Sequence, residues 1–160
     1  MANSRPRLLF DTNVLITVPG SKSAGAILGM ACVINHQADV LISEYVIREY
    51  LRTVALPTWR DPFKNLAQVV GFITGGIAVG SVQVGDWLPD RAAVAALGAT
   101  VPDPGDAPIM LIAEHYNCDA IITYNVRHFR TFHIPALTPD KWLQANPPQG
   151  AWFAAGTSSP

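Results

Sequence analysis

Nine aspartates and three glutamates are all the carboxylates in these 160 residues. Three of them, Asp11, Asp103 and Asp106, stand where an apolar run stops or a helix begins, Glu49 lies inside the helix after Ser43, and Asn125 ends the last apolar run. Asp11 is the sharpest case: Arg7-Leu8-Leu9-Phe10 ends abruptly at its carboxylate, and two small polar residues, Thr12 and Asn13, follow. Carboxylates forced together repel and raise one another's pKa values. A hard divalent cation relieves that repulsion, and oxygen ligands suit Mg²⁺ or Mn²⁺. Such an ion orients a water, lowers its pKa and stabilises charge on a phosphoryl group, which is the chemistry of phosphodiester hydrolysis.

Those side chains are useful only if strands and helices bring them together. Short apolar runs at 7–10, 38–42 and 120–124 read as strands, the last ending at Asn125. Between them lie helical patterns, which gives an α/β fold with a central parallel sheet. In such sheets ligands bind beyond the carboxyl ends of the strands. Asp11, Asp106 and Asn125 are therefore expected at one edge, with Glu49 reaching it from the second turn of its helix.

The helices carry their own signals. Residues 23–36 have Ile27, Met30, Ala31 and Ile34 at helical spacing, and Ser43 is a good N-cap for a helix from Glu44 to about Val54. Val46, Ile47, Tyr50, Leu51 and Val54 make one apolar stripe on it, and Pro57 closes it. Asp61-Pro62-Phe63 opens a helix to about Thr74, and a Gly75-Gly76 break and a buried extended piece are expected next. A short helix at 90–97 precedes a loop at 102–106, and Asp106 is placed to cap a helix from Ala107 to about Asn117. Residues 1–145 form one expected domain, and the proline-, glycine- and serine-rich stretch 146–160 an expected flexible tail.

Composition bounds the remaining choices. The chain is 49% hydrophobic with 14% charged residues and a formal net charge of −1. So lean a charged surface points to apolar area covered by a partner or a second copy, hence an expected homodimer. No global basic field draws nucleic acid, so any such binding needs a local patch. Arg48 and Arg52 beside Glu49, and Arg127, His128 and Arg130 after the last strand, are the candidates for binding RNA phosphates. Cys32 and Cys118 form no metal motif and read as reduced core thiols of a cytoplasmic protein. The uncharged stretch between Lys64 and Asp86 is long enough to span a bilayer but too rich in glycine and glutamine to do so, so no membrane partner is expected.

Each candidate also has a purely structural reading. Glu49, Arg48 and Arg52 suit a solvated helix face, Asp103 before Pro104 suits a turn, and Asp106 suits an N-cap. Asp119 reads as a strand-entry residue, Arg127 and Arg130 as salt-bridge partners, and His128 and Phe129 as packing residues. No Ser/His/Asp set and no phosphate-loop motif is present.

Taken in order, the motifs resemble a known family. Leu8-Leu9-Phe10-Asp11-Thr12-Asn13-Val14-Leu15 resembles the opening motif of PIN domains, and Ile42-Ser43-Glu44-Tyr45-Val46-Ile47-Arg48-Glu49 the acidic strand-to-helix segment, matched by Glu49. Asp103-Pro104-Gly105-Asp106 with Ile112-Ala113 resembles the third acidic motif, Asp106 taking its principal position. Residues 118–129 and the later Leu137-Thr138-Pro139 are similar to the closing motif. The resemblance spans roughly residues 7–143 and implies a three-layer α/β/α PIN-like fold and a Mg²⁺- or Mn²⁺-dependent ribonuclease. Asp11, Glu49 and Asp106 would ligate the ion, with Asp103 and Asn125 supporting it or binding its water. Many bacterial members are VapC-type toxins held inactive by a small antitoxin, which makes an antitoxin an expected partner. Asn125 departs from the Asp frequent at the fourth acidic position, and residues 53–100 match no motif. The competing reading is a PIN-like RNA- or protein-binding module that has lost its chemistry; a phosphatase with Asp11 as nucleophile would want a second Asp where Asn13 stands.

Overall fold

The computed structural model describes residues 5–20, 22–56 and 61–148. Five strands form one all-parallel sheet: β1 (Arg7–Phe10), β2 (Asp39–Ser43), β3 (Val82–Gly85), β4 (Ala120–Ile122) and β5 (Ala136–Leu137), in the order β3-β2-β1-β4-β5. Seven helices are described: α1 (Thr12–Leu15), α2 (Ala24–Asn35), α3 (Glu44–Val54), α4 (Pro62–Ala78), α5 (Arg91–Gly98), α6 (Ala107–His115) and α7 (Pro139–Ala145). α2 packs with α4 and α7, while α6 packs with α3 and α5, so helices sheathe the sheet on both sides in a three-layer α/β/α arrangement.

Central position explains the apolar runs. β1 lies between β2 and β4, with Leu9 opposite Leu41 on one side and Ile121 on the other. All three side chains are fully buried, as are Phe10, Ile42 and Ile122. Burying each such side chain contributes about 1.5–3 kcal/mol. Polar caps set where the helices begin: Ser23 accepts from Ala26 N–H and Ser43 from Val46 N–H. α3 therefore starts directly at the end of β2, which fixes Glu49 relative to the sheet edge.

Two expectations are corrected, and two helical faces are now defined. α4 does not break at Gly75-Gly76 but continues to Ala78. A Cβ on Gly76 would lie 2.2 Å from Val82 Cγ2, so that glycine permits close helix–strand packing and does not end the helix. The extended piece after it, β3, is an edge strand with Gln83 and Val84 exposed, not a buried one. On α2 the buried side chains are Ala26, Leu28, Ala31 and Cys32, while Met30 and Ile34 are about half exposed at 47% and 48%. Leu51, expected on the α3 stripe, is likewise exposed, whereas Val46, Tyr50 and Val54 are buried.

The last clear strand is shorter than its apolar run, ending at Ile122, and α6 ends at His115. Asn117 then takes a left-handed φ of 51° that terminates the helical path. Pro57, and most of the stretch read as a tail, lie outside the described residues. Among the described residues no helix is long and apolar enough to cross a membrane. Cys32 and Cys118 are both free and buried. Burial pushes each thiol up to about 12, so neither supplies a thiolate at neutral pH.

Candidate active site

Asp11 is the first residue after β1 and the N-cap of α1; its backbone N–H continues the ladder to Ile122 O at 3.0 Å. The side chain is only 5% exposed. Its Oδ1 accepts from Thr12 N–H at 2.7 Å. Its Oδ2 accepts from the Thr123 hydroxyl at 2.7 Å and from Asn13 Nδ2 at 2.9 Å. Asn13 also donates to Thr123 Oγ1 at 3.1 Å and accepts from Tyr124 N–H at 3.1 Å. The ends of β1 and β4 are thereby tied into one polar network around a buried carboxylate.

Burial is the main reason the Asp11 carboxyl is pushed up to about 6; the Asp106 and Glu49 charges add to it, and the Thr123 and Thr12 hydrogen bonds oppose it. Asp106 is held above the usual carboxylate range, again chiefly by burial, with Asp103 and Glu49 adding and His128 opposing. Asp11, Glu49 and Asp106 thus sit in one another's fields, although Asp11 and Asp106 come from elements nearly a hundred residues apart in the chain. Glu49 is half-buried and accepts a short hydrogen bond from the Thr12 hydroxyl, which links α3 to the turn after β1. Among the described residues no lysine or arginine forms an ion pair with Asp11 or Glu49.

Asp106 does not cap α6 as expected: no side-chain cap bond forms, and its Oδ2 instead receives His128 Nδ1 at 2.7 Å. Asp103 caps the 3₁₀ turn Pro104–Asp106 by accepting from Gly105 N–H, and its Oδ2 lies 3.5 Å from the same His128 nitrogen. Ligand atoms of Asp103, Asp106 and His128 lie within 4.8 Å of one another, the one grouping of at least three such side chains this close among the described residues, and Asp11 and Glu49 stand outside it. His128 is therefore no mere packing residue, whereas Phe129 is one, at 2% exposure. Asn125 is exposed at the head of the turn Val126–Phe129, and its side chain makes no cap bond.

The basic candidates divide. Arg48 is committed to Glu44 four residues earlier, through Nε at 3.0 Å, as an exposed helix-surface pair. Arg52 is exposed but lies close enough to the acidic group to act on Tyr45, whose phenol is raised by burial and then by Glu49, Asp106 and Asp11. Arg127 donates its Nε–H to His128 Nε2 at 3.2 Å, and Arg130 is exposed. Asp119 accepts from Arg7 N–H at 2.7 Å at the start of the strands, in keeping with a strand-entry role.

Sequence reasoning did not single out Thr12, Thr123, Asn13 or Tyr45 as site residues, and it weighed His128 as a packing residue. The polar pair directly after Asp11 was a usable signal for the first and third; nothing local marked Thr123 or tied His128 to Asp106, because their partners are 112 and 22 residues away.

The donor set fits a hard divalent cation. The three carboxylates of Asp11, Glu49 and Asp106 offer oxygen ligands, and among the described residues only His128, on Asp106, offsets their mutual repulsion. Asp11, Glu49 and Asp106 would hold the ion, with Asp103 next to Asp106.

A profile of the PIN domain family matches residues 7–127. No match was found among curated proteins. Among solved structures, the crystal structure of PAE2754 from Pyrobaculum aerophilum is similar, with a TM-score of 0.59 at 15% identity, covering 90% of this chain and 97% of that one. At that identity the likeness speaks for the fold alone. PIN domains are generally nucleases that use divalent metal ions, and a possible acidic metal site is present here. With the profile covering most of its length and the acidic side chains gathered at the strand ends, the chain belongs to the PIN domain family.

Proposed function

We propose that this protein is a Mg²⁺- or Mn²⁺-dependent endoribonuclease that hydrolyses RNA phosphodiester bonds. The observation that carries the reading is that Asp11, Glu49 and Asp106 lie in one another's fields beyond the carboxyl ends of the parallel strands, with His128 on Asp106 the one basic group paired with them among the described residues. A divalent ion bound there would lower the pKa of the attacking water and stabilise charge on the phosphoryl oxygens. The chain's own groups do the rest. Thr123, Asn13 and Thr12 N–H hold Asp11, the Thr12 hydroxyl holds Glu49, and His128 holds Asp106. Arg52, Arg127 and Arg130 would receive backbone phosphates, while Arg48, already paired with Glu44, contributes least.

The resemblance to VapC-type sequences supports a cellular role as the toxin of a type II toxin–antitoxin pair, restrained by a cognate antitoxin protein. A homodimer is supported by the outer face of α4, where Phe63 is 83% exposed and Val70 and Ile77, on the uncharged stretch after Lys64, are about half exposed.

The test is cleavage of a defined RNA oligonucleotide by the purified full chain with Mg²⁺ or Mn²⁺. Hydrolysis that chelator stops, and that Asp11→Asn abolishes while the fold stays nearly intact, supports the reading. Unchanged cleavage by the Asp11 variant refutes the site. RNA retained but never cut favours the non-catalytic binding module, for which the exposed Asn125 in place of an acid is the supporting feature.

A further inference from the structure

We infer that His128 is a positioning residue for Asp106, acting through a directed chain from Arg127 to His128 to Asp106, and is not itself a ligand to the ion. This role rests on the nuclease reading of the acidic site.

The direction of the chain follows from the donors. An arginine Nε–H can only donate, so the Arg127 contact at 3.2 Å requires a lone pair on His128 Nε2. The neutral ring then carries its proton on Nδ1, which faces Asp106 Oδ2 at 2.7 Å and Asp103 Oδ2 at 3.5 Å. Both carboxylates can only accept from it. In that tautomer Nδ1 has no lone pair for a cation, so the grouping of Asp103, Asp106 and His128 is a clamp that engages one oxygen of Asp106 and leaves Oδ1 for an ion. The clamp is anchored: the ring sits in a 3₁₀ turn, Val126–Phe129, whose last residue is buried, and His128 is itself only 19% exposed. It also explains why Asp106 needs no capping bond to α6: its carboxylate is already engaged across to the turn after β4. Hydrogen bonds of this outer kind fix ligand orientation, and losing one costs roughly 10–100-fold in metal affinity.

Two measurements on the full chain test the role. Long-range ¹H–¹⁵N spectra of the metal-free protein, at a pH where the ring is neutral, should show His128 protonated at Nδ1. A ring protonated at Nε2 overturns the chain. Mn²⁺ affinity, read from the free-ion electron spin resonance signal, should fall roughly 10–100-fold in His128→Phe and His128→Ala. It should return close to the wild-type value in His128→Asn, whose amide N–H stands in for Nδ1–H. Phe and Ala variants that fold and bind Mn²⁺ like wild type overturn the role. So does an Asn variant as weak as Phe, since an N–H donor at this position would then not be what holds Asp106. Wild type that binds no Mn²⁺ refutes the nuclease reading, and the spectra alone then decide the clamp.

Discussion

Thr123 and Asp11 meet across the gap between β4 and β1, the threonine hydroxyl donating to Asp11 Oδ2 at 2.7 Å while Asp11 N–H bonds Ile122 O one residue earlier. The sheet ladder thus continues past the last paired residues as a side-chain bond. A buried carboxylate that gains a donor is stabilised in its charged form. Thr123→Val keeps the shape and removes the donor, leaving a fully buried site with one acceptor less satisfied. The expected loss is about 1.5–3 kcal/mol in urea unfolding at neutral pH, with Thr123→Ser close to wild type. A valine variant as stable as wild type would show that the bond contributes nothing.

The pH dependence of stability follows from Asp11. Burial pushes its carboxyl up from 3.8 to about 6, so between those values the folded state binds the proton that the unfolded chain has lost. Stability of the metal-free protein must therefore fall as pH rises from about 4 to about 6, then level off. The shift corresponds to about 3 kcal/mol, since each pKa unit is worth about 1.4 kcal/mol. A divalent cation should restore most of that loss at pH 7 by binding the ionised form. Thermal unfolding across this pH range, with chelator and with Mn²⁺, checks both; stability rising from pH 4 to 6 without metal would contradict the buried, uncompensated carboxylate.

Gly75 and Gly76 are adjacent in α4 yet should respond oppositely to alanine. A Cβ on Gly75 meets nothing within 4 Å, so Gly75→Ala should stabilise by about 0.5–1 kcal/mol through helix propensity. A Cβ on Gly76 would sit 2.2 Å from Val82 Cγ2 and 2.8 Å from Val82 Cβ. Gly76→Ala must then push β3 off α4, at a cost of about 1–3 kcal/mol. Chemical denaturation of the two variants settles it, and equal effects would mean that α4 does not pack as described.

That pair also shows where the sequence was legible. β1, β2 and the start of α3 could be read because their signals are local: an unbroken apolar run, a capping serine, a stripe with helical spacing. The gathering of Asp11, Glu49 and Asp106 followed from one geometric rule about parallel sheets. Gly75-Gly76 misled because a glycine pair breaks a helix only when nothing else holds it, and here Val82 packs against the second one. β3 and β5 are short and lie at the sheet edges, so neither carries a strong run of its own. The helical spacing of Met30 and Ile34 marked α2 but not its buried face, since α2 is apolar nearly all round and both side chains are about half exposed. Asp106 was read as a cap because His128, its actual partner, is distant in sequence.

Thr12 offers the cleanest separation of site geometry from folding. Its hydroxyl donates to Glu49 Oε2, the one described link between the turn after β1 and the acidic side chain of α3. Thr12 is 6% exposed and Thr12→Val is close to isosteric, so the unfolding midpoint should change little. Glu49, however, is only half-buried and would regain rotamer freedom, and each rotamer-rich side chain that must be re-ordered costs about 0.5–1.5 kcal/mol. Mn²⁺ affinity should therefore weaken roughly 2–10-fold, by the rule that about 1.4 kcal/mol is tenfold. Thr12→Ser should retain the wild-type value. If Thr12→Val binds Mn²⁺ as tightly as wild type, Glu49 is either held by other groups or is not a ligand. Glu49→Gln then distinguishes the two, since only loss of a true ligand would lower affinity further.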